Sequence, residues 1–124
     1  MINNTQTTEK YVFDTVKLLK DDISTLQVKS FFKINRDYKT CLRECDDLLD
    51  FINTEYKHNI DLFPDDVKLV NLRLMLDYVK GSVWQLIEYS KNPTNNKIKL
   101  ARTYKEHAKY CRVLYRVEKE QENE

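Results

Sequence analysis

The chain has 124 residues, enough for one domain with a single modest core. It contains one Gly and two Pro, where average usage gives about nine and six; hairpins and strand bulges lean on Gly, so a strand-rich fold is excluded in favour of long helices with short connections. Net charge is only +1, from 21 basic and 20 acidic residues, which excludes a uniformly basic or acidic surface.

Residues 1–7 are polar and are expected to fray. A first helix is expected from Thr8 to Asp22, offering Tyr11, Val12, Val16, Leu18 and Leu19 to the core. Ser24-Thr25-Leu26-Gln27 has the form of a capping box, with Ile23 and Val28 as its hydrophobic staple, and so predicts a helix start. The second helix then runs from Thr25 to about Lys57. Its apolar residues, Val28, Phe31, Phe32, Tyr38, Cys41, Leu42, Cys45, Leu48, Leu49, Ile52 and Tyr56, recur in threes and fours. Asn59 suits a helix stop, and Pro64 with two aspartates suits a new first turn.

A third helix is expected over Asp65–Ser90, with Leu69, Leu72, Leu76, Val79, Val83 and Leu86 on one seam. Asn92-Pro93-Thr94-Asn95 reads as a turn. The fourth helix starts near Asn96 and carries Ala101, Tyr104, Ala108, Cys111 and Tyr115; residues 120–124 are expected to be loose. No strand pattern and no internal repeat appears. The pattern predicts an all-α domain over 1–124, a bundle of four to five helices.

The charge balance hides segregation. Residues 44–66 hold eight acids and one Lys, whereas residues 91–119 hold nine bases and two acids. Within the basic part, Arg102, Lys105, Lys109, Arg112, Arg116 and Lys119 recur in steps of three and four, on one slowly drifting helix face. Like charges at this spacing repel, so the face is expected to meet RNA phosphate, a neighbouring subunit, or the acidic 44–66 segment. Lys29, Lys33, Arg36 and Arg43, at offsets of four, seven and fourteen, form a second basic stripe on the second helix. Arg73 and Lys80, seven apart, share a face of the third helix. Repeated long cationic side chains without a base-reading motif fit phosphate contact.

Other chemistry is thinly represented. Cys41 and Cys45, with His107 and Cys111, are two i,i+4 pairs of the kind that bind zinc between helices; core packing is the better reading, and no metal or cofactor is expected. The odd number of thiols builds no disulfide framework, which points to a reducing, cytoplasmic setting. The start has no apolar leader and no run reaches membrane-spanning length, so no membrane partner is expected. Arg102 and His107 match Arg-x4-His, a pattern that resembles the signature of HEPN ribonucleases, themselves small helical bundles that cleave RNA without metal at a dimer cleft.

Three further segments, STLQVKSFF at 24–32, LRLMLDYVKG at 72–81 and KYCRVLYRVEK at 109–119, resemble the small α-helical subunit of type III-A CRISPR (Csm) effector complexes. The resemblance rests on Val28-Lys29 after the capped start, on Leu72, Arg73, Leu74, Leu76, Tyr78 and Gly81, and on Lys109-Tyr110. Ser82 stands where a basic residue is usual, and Arg112-Val113-Leu114 replaces a Glu-Ala run. The resemblance implies a non-catalytic subunit, stacked in several copies beside guide RNA and target RNA and touching other subunits of the complex. It puts RNA contact at Lys29, Lys33, Arg36, Arg43, Arg73 and Lys80. A plain protein-interaction bundle, an accessory or inhibitor protein without nucleic acid, is the remaining alternative.

Overall fold

The computed structural model describes residues 4–28, 36–59 and 67–122, with side chains described over 8–28, 36–54, 70–118 and at 120. Four helices follow in chain order: α1 (Asn4–Val28), α2 (Tyr38–Asn59), α3 (Val67–Lys91) and α4 (Asn95–Glu122). Among the described residues there is no strand and no fifth helix, so the chain is all-α and the upper end of the expected helix count is set aside.

The third helix organises the others. It packs most extensively on α4 and also meets α2 and α1, while α1 lies along α4. The periodicity explains why. Leu72, Met75, Leu76, Val79, Ser82, Val83 and Leu86 are all buried, a face wide enough for several neighbours. Its expected seam is present from Leu72 to Leu86; the Leu69 side chain lies outside the described residues.

The α3–α4 join is close because small residues line it. A Cβ at Gly81 would stand 3.2 Å from Cδ2 of Tyr104, so the glycine lets that ring approach the α3 backbone. Next to it, the buried Ser82 hydroxyl donates to the carbonyl of Ala101 at 2.8 Å. Ala101 and Ala108 are fully buried.

The first helix is longer than expected at both ends, and it overturns the capping box. Ser24–Gln27 lies inside α1. The Thr25 hydroxyl donates to the Asp21 carbonyl at 2.9 Å, the back-bond of a residue within a helix. Ile23 is 1% exposed and Val28 is 82% exposed, so no staple joins them. The reason is tertiary: Leu19, Ile23 and Leu26 continue the apolar seam of α1 in steps of four and three, and burying them outweighs a local start signal.

The true start of α2 is capped by Asp37. Its Oδ1 accepts from the Thr40 N–H at 3.2 Å, and its Oδ2 accepts from the Thr40 hydroxyl at 2.6 Å. Those bonds hold the Asp37 carboxyl below its usual range. The buried Asp22 carboxylate then ties α1 to α2, accepting from Arg36 Nε at 2.9 Å and from the Tyr38 hydroxyl. Higher up, the Tyr11 hydroxyl of α1 donates to the Cys41 carbonyl of α2 at 2.9 Å.

The second helix is described as far as Asn59; the residues after it, Pro64, Asp65 and Asp66 among them, lie outside the described residues. The fourth helix starts after a bend at Asn92, where Thr94 accepts from the Lys97 N–H at 3.2 Å. It continues to Glu122, past the point where a loose end was expected. No helix among the described residues is long and apolar enough to cross a membrane.

Candidate anion-binding cleft

The basic residues fall into three groups of different fate. Lys29 and Lys33 lie outside the described residues. Arg36 precedes α2 rather than sitting on a helix, and it is engaged with Asp22. Arg43 is exposed on α2. Arg36 and Arg43 therefore do not share one helix, because residues 36 and 37 are not helical and Tyr38 begins α2.

Arg73 and Lys80 do share a face of α3, but they share it with acids. Lys80 Nζ lies 2.6 Å from Asp46 of α2, and this bond raises its pKa. Asp50 and Asp77 line the same shallow groove as Arg73 and Lys80. Burial raises the Asp77 carboxyl, against the pull of Arg73 and Lys80. This surface is mixed in sign. It is also where the acidic segment meets its own chain: α2 packs on α3, and Asp46 pairs with Lys80.

The α4 stripe has a different setting. Buried positions along the helix run Ile98, Ala101, Lys105, Ala108, Cys111 and Tyr115. Lys105 thus occupies a core-facing position, and its residue is 8% exposed. Its ammonium meets Glu106 at 2.9 Å, which holds the Glu106 carboxyl below its usual range. Arg112 is turned the same way, toward α1. Its guanidinium lies 3.5 Å from Glu9, and Arg116 lies 3.4 Å from the same carboxylate. Among the described ion pairs, the stripe therefore meets Glu9 of α1 and Glu106 of its own helix. Arg102 and Lys109 are exposed, and the Lys119 side chain lies outside the described residues.

Where α4 faces α1, a cleft of about 210 Å³ opens. Phe13 and Val16 form its apolar wall. Lys17 and Lys20 of α1 stand opposite Lys105, Lys109 and Arg112 of α4, and Glu106 is the one carboxylate in the lining. Phe13 fixes two of these cations: Lys17 Nζ lies 4.0 Å from the ring centroid and the Arg112 guanidinium carbon 4.3 Å. Arg112 Nε is buried and has no hydrogen-bond partner. Burial lowers the Arg112 pKa, with Glu9 acting against that shift. The five lining cations outnumber the carboxylates near them, Glu106 in the lining and Glu9 beside Arg112, so the cleft favours an anion by charge.

Spacing within α4 gives no sign of the α1 half of this cleft. A signal existed: Phe13, Lys17 and Lys20 recur at four and three, beside Lys10. Spacing along one helix does not say which other helix it faces.

Arg102 and His107 line a second, open groove with Lys99, Thr103 and Glu106. The His107 ring packs against Tyr78, centroids 5.0 Å apart. The cysteines go elsewhere. Cys45 is buried 3.5 Å from the Tyr11 hydroxyl, and Cys111 is buried on α4. Burial is the main cause that pushes the Cys45 thiol up to about 11 and also raises Cys41 and Cys111. Among the described residues no three His, Cys, Asp or Glu side chains gather as metal ligands.

No family model matches the chain, and no curated protein or solved structure matches it either.

Proposed function

We propose that this chain is a non-catalytic RNA-binding bundle, acting as the small helical subunit of a type III-A CRISPR ribonucleoprotein. The three sequence segments support the family reading. The observation that carries RNA binding is the concentration of cations where α1 faces α4, Lys109 among them, with Arg102 exposed on the same helix. Backbone phosphate is the part of RNA that such a surface recognises, without regard to sequence. The weight of the proposal moves accordingly. Arg36 and Lys80 have carboxylate partners on this chain, so Arg102, Lys109, Lys17 and Lys20 become the leading contacts, with Arg43 and Arg73 secondary. Guide RNA, target RNA, other subunits and further copies of the chain remain the proposed partners.

The test is binding of single-stranded and guide–target RNA at several salt concentrations, with Arg102→Glu and Lys109→Glu as variants. Affinity should fall steeply with salt, and the two reversals together should reduce both affinity and its salt dependence. Affinity indifferent to salt and to the reversals would sink the RNA reading. Co-purification with CRISPR effector subunits tests the family reading separately.

A second reading, a HEPN-type ribonuclease, is favoured by one observation: Arg102 and His107 line the same groove. It requires metal-independent RNA cleavage that His107→Ala abolishes; RNA left intact by the wild-type dimer would dismiss it. The protein-interaction reading draws on Tyr110, Val113, Leu114 and Val117, exposed at helical spacing near the end of α4. It predicts a protein partner on purification and no RNA.

A further inference from the structure

We infer that the α1–α4 cleft is a pocket for a phosphate monoester. On the RNA reading, on which this step rests, that group is the terminal phosphate of a strand.

Charge is the first argument. Five lining cations stand around one lining carboxylate, which is bonded to Lys105. Arg112 is paired with Glu9 next to the cleft, and Lys17, Lys20 and Lys109 are left without an ion-pair partner among the described residues. A monoester carries close to two negative charges near neutral pH and offers three strong acceptor oxygens. A carboxylate or a backbone diester brings only one charge. The crowded ammonium groups repel one another, and a dianion between them removes that repulsion.

Donor geometry is the second. The Lys105 side chain is 10% exposed, and its ammonium has three donors, of which Glu106 takes one. Beside it, the exposed Lys17, Lys20 and Lys109 line the same cleft and bring their own ammonium donors to it. Phe13 holds Lys17 and Arg112 in place before any ligand arrives, which lowers the ordering cost of binding.

Size is the third. At about 210 Å³ the cleft is smaller than the roughly 300–1,000 Å³ of ordinary small-molecule sites. It takes a phosphate and the group attached to it, with Phe13 and Val16 against that group's apolar side. It does not take a whole nucleotide, so the rest of an RNA strand must leave along the exposed Arg102–Lys109 face.

The test compares a short single-stranded RNA bearing a terminal phosphate with the same RNA ending in a hydroxyl, by anisotropy. Ribose 5-phosphate is titrated separately and followed by amide chemical shifts of the wild-type protein. The phosphorylated end should bind roughly tenfold tighter, and Lys20→Ala or Lys105→Met should erase the difference. Ribose 5-phosphate should shift the amides of Lys17, Lys20, Lys105 and Lys109 even if a variant fails to fold. If RNA binds equally with either end and ribose 5-phosphate shifts nothing, the pocket is wrong and the RNA reading stands. If ribose 5-phosphate binds and neither RNA does, the pocket stands for a free sugar phosphate and the RNA reading falls.

Discussion

The Tyr38 hydroxyl at the first residue of α2 donates to the Asp22 carboxylate near the end of α1. Asp22 is 8% exposed and Tyr38 4%, so neither group has water as a ready substitute. Arg36 completes the set from the edge of the site. Tyr38→Phe removes one donor and leaves Arg36 as the carboxylate's side-chain partner among the described residues. We expect a loss of about 1–3 kcal/mol in urea unfolding at neutral pH. No loss would mean that the clasp adds nothing to the α1–α2 join.

The same tyrosine, with Tyr11, makes the fold sensitive to alkali. Burial is the main cause that raises both phenols well above their ordinary value of 10.0, and the Asp22 carboxylate raises Tyr38 further. The unfolded chain therefore ionises these groups first. Their contribution is fully present below pH 10.0 and is lost as the pH rises beyond it. Unfolding midpoints should fall above that pH. The fall should be smaller in Tyr11→Phe, measured as a difference from its own neutral-pH stability.

Gly81 sits mid-helix, where Ala gains about 1 kcal/mol in propensity, but its missing Cβ makes room for Tyr104. In the wild type the two effects oppose, and Gly81→Ala should change stability little. In a Tyr104→Ala background the steric term is gone, and the same substitution should stabilise by about 1 kcal/mol. Equal effects in both backgrounds would refute the ring contact as the reason for the glycine.

Lys105 occupies a core-facing position with one carboxylate neighbour. The Glu106 side chain is 54% exposed, so water can solvate it without its partner, and an apolar side chain in place of the buried ammonium removes a desolvation cost without leaving a buried charge unpaired. Lys105→Met should raise stability by about 1 kcal/mol or more while weakening phosphate binding. A variant that is less stable would show that the ammonium is better satisfied than its contacts indicate.

What could be read from the sequence followed the strength of the local pattern. The α3 seam from Leu72 to Leu86 steps regularly, and the helix formed where that pattern placed it. The α1–α2 junction failed because Ser24–Gln27 looks like a start in isolation. Only the packed structure shows Ile23 and Leu26 continuing the seam of Leu19, while Asp37 caps α2. The α4 stripe was visible because six bases repeat along one helix. That Lys105 points inward, and that Lys17 and Lys20 stand opposite, depends on how α1 docks, which no spacing along α4 encodes.

The three cysteines bear on how these tests can be run. A thiol near 11, as at Cys45, is about one part in ten thousand thiolate at pH 7, and Cys41 and Cys111 are raised as well. Maleimide dyes react through the thiolate. A cysteine placed at exposed Ser24, with an ordinary pKa, should therefore outcompete all three. Ser24→Cys gives a single-site fluorescent reporter on the native background, with no need to strip the core of its sulfur.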